Sequence, residues 1–61
     1  MRNKFFFDNL RLLLCAIEDA VENGASPQAL VFYRDAAEAL ADGDLKLYVA
    51  LFALGENYAS L

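Results

Sequence analysis

A chain of 61 residues has room for a single domain, residues 1–61, and such a domain buries only about 60% of the surface that its unfolded chain exposes. One cysteine and no histidine exclude an internal disulfide and the usual structural zinc site, so self-association remains as the means of stabilising a small core. The net charge of −4, with five basic residues, argues against binding to a nucleic-acid backbone, and an apolar content of 59% predicts a homodimer or larger complex.

The first predicted element is a helix over residues 4–22. Its apolar residues recur at helical spacing with charged residues opposite them, and Asn23-Gly24 follows as the expected stop. Because consecutive helical residues lie about 100° apart, Phe5-Phe6-Phe7 cannot share one face, and we expect at least one of these rings to be exposed or inserted into a partner. Cys15 lies among leucines, and we expect its thiol to be buried and slow to react.

The second predicted helix spans residues 27–41. Ser26 is the expected N-cap, and Pro27 suits the first helical position, where its missing N–H is not needed. The segment is rich in alanine, which favours helix over strand. Asp42-Gly43 then closes it, since glycine commonly follows the last helical residue.

The third predicted helix covers about residues 45–59, and Asp44 can cap its N-terminus. As far as Leu54 its only charge is Lys46, so it is apolar nearly all round and two short neighbours cannot cover it. Gly55 either ends the helix or lies within it. The expected fold class is therefore all-α, a helical hairpin plus a third helix, completed by homodimerisation. The residues expected to mediate self-association are Leu47, Tyr48, Leu51, Phe52, Leu54 and Tyr58.

The sequence offers no arrangement suited to catalysis, and we expect a protein that is not an enzyme and has no catalytic, cofactor-binding or metal-binding residues. The candidate nucleophiles Cys15, Ser26 and Ser60 have no histidine to activate them, and the carboxylates lack the Glu-x-x-His pattern of di-iron bundles. The third helix offers only Lys46 to a DNA groove, which argues against direct DNA reading. The longest apolar run, residues 47–54, is too short to cross a bilayer, and a free thiol fits the cytoplasm.

Acidic and aromatic side chains are the features that indicate binding to another protein. The carboxylates of the first two helices form either an ordinary solvated face or a docking surface for a basic partner. Aromatic rings are frequent at the energetic centres of interfaces. The candidate partner-binding residues are Phe5, Glu18, Asp19, Glu22, Asp35, Glu38 and Asp42.

One stretch of the chain is similar to a known family. Leu30-Val31-Phe32-Tyr33, followed by Ala36, Leu40 and Ala41 and then by Lys46-Leu47-Tyr48, resembles the central helix of the Hha/YmoA-type nucleoid co-regulators. The Asp-His-Arg stretch of that family is replaced here by Ala37-Glu38-Ala39, and its C-terminal tryptophan is absent. The resemblance implies a co-regulator that modulates a DNA-organising protein by binding to it.

The leading functional hypothesis is a small, acidic, non-catalytic regulator or inhibitor that binds another protein stoichiometrically, of the kind that phages and mobile elements encode against host or defence proteins. The alternatives are a structural subunit, whose third helix packs permanently into a larger assembly, and the Hha-like co-regulator. A membrane-surface peptide is disfavoured, because such helices carry many Lys and Arg residues on their polar face.

Overall fold

The three predicted helices are present in the computed structural model, which describes residues 4–60. They are α1 (Lys4–Glu22), α2 (Pro27–Asp42) and α3 (Leu45–Ala59), so α2 is one residue longer than predicted and α3 continues through Gly55. No strand occurs within residues 4–60. The all-α prediction is therefore confirmed. Residues 1–3 and 61 of the predicted domain lie outside the described residues.

Local sequence accounts for the ends of the helices. Gly24 and Gly43 have positive φ angles of 70° and 79°, the left-handed conformation that ends a helix and that glycine adopts without strain. Asp44 caps α3 as predicted, with a side-chain oxygen 3.2 Å from the backbone nitrogen of Leu47. Ser26 occupies the N-cap position of α2, but its side chain makes no capping hydrogen bond. The Ala29 N–H, a donor that such a cap uses, instead donates to the Ser26 backbone carbonyl.

The core is centred on α2, which packs against both other helices, whereas α1 and α3 touch each other little. Tyr33 is fully buried at the middle of α2. A Cβ on Gly55 of α3 would lie 2.7 Å from Cε1 of the Tyr33 ring, so the close approach of α3 to α2 requires glycine at this position. The buried hydrophobic residues are Leu13, Ala20, Ala29, Tyr33, Ala36, Ala39, Leu40 and Tyr48.

The exposed side of α1 corrects one expectation and confirms another. Cys15 is exposed, so the prediction of a buried thiol is wrong. Leu13 faces the core, and Cys15, two residues further on and about 200° around the helix, faces away from it. Phe5 and Phe7 are also exposed, while Phe6 packs against the core, as expected for three consecutive rings on one helix.

Candidate functional site

An open cleft lies between α1 and α3. Both helices pack on α2 and barely meet, which leaves a space of about 530 Å³ above the α2 surface. The cleft is lined by Leu12, Ala16, Asp19, Ala20 and Asn23 of α1, Tyr33 of α2, and Phe52, Glu56, Ala59 and Ser60 of α3. Its walls are therefore mostly apolar, with two carboxylates among them.

The Tyr33 hydroxyl lies on the floor of this cleft and is tied to α3. It donates a hydrogen bond to Oε2 of Glu56, with the two oxygens 2.7 Å apart, and the ring makes an edge contact with Phe52 at a centroid distance of 5.8 Å. Burial, followed by the hydrogen bond and negative charge of Glu56 and then by the charge of Asp19, raises the pKa of Tyr33 to about 12. The hydroxyl therefore stays protonated at neutral pH and acts as a hydrogen-bond donor.

The chemistry of the cleft favours a positively charged group on an apolar stem. Asp19 and Glu56 supply negative charge, and no lysine or arginine is among the described residues that line the space. Apolar walls suit the methylene stem of a lysine or arginine side chain, whose charged end can then reach a carboxylate. Tyr33 already donates to Glu56, which holds one of the two carboxylates in place.

Two of the predicted partner-binding residues lie on the cleft side of α1. Asp19 lines the cleft directly. Phe5 is exposed, and its spacing of seven residues from Leu12 and fourteen from Asp19 places all three on one flank of the helix. This flank combines aromatic, aliphatic and acidic side chains.

The other predicted acids lie elsewhere. Glu18 and Glu22 border a shallow groove on the opposite flank of α1. Asp35 pairs with its neighbour Arg34, with 3.3 Å between Nη2 and Oδ1, and Glu38 and Asp42 are exposed on α2. The predicted acidic surface is thus divided among three regions, because α1 and α2 present their polar faces in different directions.

The predicted self-association residues of α3 also divide into two groups. Tyr48 is buried, with its hydroxyl 3.3 Å from Oδ1 of Asn9, and Phe52 packs against the rings of Tyr33 and Tyr48. These two side chains serve the core of the single chain. The other four follow one flank of α3: Leu47, Leu54 and Tyr58 are exposed and Leu51 is half-buried.

Sequence reasoning missed the Tyr33–Glu56 pair. The two residues are 23 positions apart, and their contact depends on how α2 and α3 align. One signal was present in the sequence: Glu56 is the only acidic residue of α3, whose other residues are uncharged apart from Lys46 near its start. An isolated charge there suggests a specific partner.

Among residues 4–60, no group of three His, Cys, Asp or Glu side chains is placed to hold a metal ion. None of the three helices combines the length and apolar character needed to span a bilayer.

Compared with known proteins, the chain matches no protein family, no curated protein and no solved structure. The resemblance to the Hha/YmoA-type co-regulators receives no support from these comparisons and stays a prediction.

Proposed function

We propose that this protein is a non-catalytic regulator that binds a basic partner protein stoichiometrically through the α1–α3 cleft, and that it does so as a homodimer. The observation that carries the proposal is the pair of carboxylates, Asp19 and Glu56, on the walls of an open apolar cleft that no lysine or arginine of residues 4–60 lines. A lysine or arginine side chain of the partner would fill the cleft and meet both charges.

The surroundings of the cleft favour a protein ligand over a small molecule. The space is open to solvent, and the exposed Phe5 and Leu12 extend its apolar wall along α1. An aromatic and acidic surface of this kind suits contact with another protein, because charge provides specificity and buried apolar area provides affinity. Attraction between the acidic cleft and a basic partner should weaken as salt is raised.

A binding experiment with matched charge changes tests this proposal. The cleft variant is Asp19→Asn with Glu56→Gln, and the control is Glu38→Gln with Asp42→Asn, which removes two exposed charges from α2. We expect amide NMR spectra of the wild type to shift at cleft residues on titration with arginine amide, and the control to behave like the wild type. The cleft variant should bind arginine amide about tenfold more weakly or worse. This is the change in affinity expected for losing about 1.4 kcal/mol of charge-assisted contact.

The same variants apply to the natural partner. A protein captured in equal stoichiometry by the wild type and the control, and not by the cleft variant, supports the proposal. Equal capture of the partner by the wild type and the cleft variant would overturn the proposal. Arginine-induced shifts that lie away from the cleft would also overturn it.

Homodimerisation is supported by the amount of surface left uncovered. The accessible surface is 4307 Å², against about 3,950 Å² expected for a compact monomer of 6.8 kDa. Large apolar side chains with more than a third of their surface exposed occur on all three helices. A second copy would cover part of this area and add stability that so small a core lacks.

A structural subunit is the second candidate, and a specific feature of α3 favours it. Leu45 and Val49 are exposed on one flank, while Leu47 and Leu54 are exposed on the other. A helix with apolar residues on both flanks is suited to insertion between neighbours. A purified chain that aggregates or stays unfolded alone would favour this function, whereas a cooperative, monodisperse species would favour the regulator.

A further inference from the structure

We infer that the homodimer proposed above forms through α1, with two copies of this helix packed antiparallel about a two-fold axis at Leu14. The surface concerned is here called the α1 stripe. It consists of Phe7, Leu10, Leu14, Ile17 and Val21.

The α1 stripe has the spacing of a helix–helix interface. Its members alternate by three and four residues, which is the apolar repeat of a coiled-coil seam, and they extend over roughly 21 Å of helix. Phe7, Leu14 and Val21 are exposed by 54%, 53% and 59%, so the described residues 4–60 leave the outer edge of the stripe uncovered. Leu10 and Ile17 form its inner edge and pack against the core.

The arrangement of residues points to a second copy of this chain as the occupant. Apolar positions are nearly symmetric about Leu14, because Phe7 and Val21 lie seven residues to either side, while Leu10 and Ile17 lie four and three residues away and so miss mirror positions by one residue. An antiparallel pairing centred on Leu14 therefore brings each apolar residue opposite another one or within one residue of it. A two-fold interface requires this self-complementarity.

Charge decides the orientation. The residues that border the stripe on its exposed side are Lys4 and Arg11 in the first half of α1, and Glu18 and Glu22 in the second half. In the antiparallel dimer, Arg11 of each copy lies near the partner's Glu18. This pair therefore occurs twice, once on each side of the two-fold axis. Parallel pairing would place like charges at the same level, which is unfavourable.

The interface leaves the cleft free. Leu12 lies one residue before Leu13 and Leu14 one residue after it, so the cleft and the α1 stripe lie about 100° to either side of the buried face of α1. A dimer formed through the stripe would therefore present two accessible cleft sites. The location also differs from the sequence-based prediction, which placed self-association on α3.

Sedimentation of the full chain, with a matched pair of substitutions, tests the inference. The wild type should have twice the 6.8 kDa chain mass. Leu14→Asp would place two carboxylates together at the axis, and we expect a helical monomer. Leu12→Asp changes a similarly exposed leucine, 61% against 53%, on the opposite flank of the same helix, and should keep the dimer.

Charge exchange tests the orientation separately. Arg11→Glu and Glu18→Arg should each weaken dimerisation roughly tenfold, since each replaces two favourable pairs by repulsive ones. Combining both changes in one chain restores opposite charges in the antiparallel arrangement, and should recover wild-type affinity. Recovery is specific to pairing between chains, because residues 11 and 18 are too far apart on one helix to pair.

The inference rests on the proposed dimer, and the outcomes distinguish the two. A wild-type chain that is monomeric at high concentration overturns both. A dimer that withstands Leu14→Asp but dissociates on Leu54→Asp places the interface on α3 and overturns the α1 stripe alone. A double charge variant that stays as weak as the single ones overturns the antiparallel orientation.

Discussion

The contact between α2 and α3, here called the α2–α3 seam, is centred on Tyr33, Phe52 and Gly55. The helices differ sharply in how many side chains they bury. Over 16 residues α2 buries five side chains, whereas α1 buries only Leu13 and Ala20 over 19 residues. Gly55 lets α3 approach the Tyr33 ring closely, and the Tyr33–Glu56 hydrogen bond adds a polar tie. The difference teaches that α2 and α3 form the stable centre of the fold. Because α1 buries few side chains, both of its flanks are available for binding, and we expect it to be the first helix to unfold locally.

The largest expected effect follows from a charge placed in the seam. Phe52→Asp removes an aromatic side chain that contacts the rings of both Tyr33 and Tyr48. Loss of such a ring costs about 3–5 kcal/mol, and a poorly solvated carboxylate adds to this. The total is comparable to the roughly 3–9 kcal/mol stability of a domain of this size. We expect circular dichroism to show an unfolded chain.

Ala53→Asp is the matched control for that change. It places the same charge one residue further along α3, at an exposed position. This variant should keep its helical content and melt cooperatively. If Phe52→Asp also stays folded with wild-type melting behaviour, the α2–α3 seam is not the stable centre of the molecule.

Alkaline pH should weaken the seam. The pKa of Tyr33 is raised from 10.0 to about 12, so the folded chain holds this proton more tightly than the unfolded chain. The stability from this difference is fully present below about pH 10 and is lost as the pH rises to about 12. Its upper limit is about 3 kcal/mol, and the exposure of the partner carboxylate of Glu56 to solvent reduces it. The raised pKa of buried Tyr48 acts in the same direction.

Urea unfolding of the wild type and of Tyr33→Phe between about pH 9 and 12 measures this contribution. Tyr33→Phe should lose less stability over that range, because its ring has no proton to release. Glu56→Gln should lower the pKa of Tyr33, which the absorbance of tyrosinate reports directly. Identical pH profiles for the wild type and Tyr33→Phe would show that the hydroxyl is not specifically stabilised in the folded state.

A smaller effect is expected where the seam is tightest. Gly55→Ala would improve helix propensity by about 1 kcal/mol, but the added methyl group would meet a fully buried ring. Overpacking costs typically 1–3 kcal/mol, so we expect a net loss of up to about 2 kcal/mol in unfolding free energy. In a Tyr33→Leu background the same change should cost less, because the ring is absent. An increase in stability for the single Gly55→Ala variant would show that the seam is loose.

The sequence by itself determined the helices. Gly24 and Gly43 end them, and Pro27 and Asp44 begin them, through backbone and side-chain effects confined to a few residues. The bounds of α1 were predicted to the residue and those of α2 to within one residue, whereas the sequence left open whether α3 ends at Gly55 or continues through it. Periodicity also predicted an apolar face on α1, and Leu13 of that face is fully buried.

Only the tertiary structure decided which apolar residues are covered. Leucine-rich surroundings predicted a buried Cys15, yet its neighbours Leu12 and Leu14 are themselves exposed, because α1 contacts the rest of the chain along a single face. The cleft likewise depends on the small contact between α1 and α3, and the Tyr33–Glu56 pair joins residues 23 positions apart through the alignment of α2 with α3. Helical periodicity reports which residues share a face, but the extent of cover over each face is set by the packing angles and distances between helices, which no local pattern encodes.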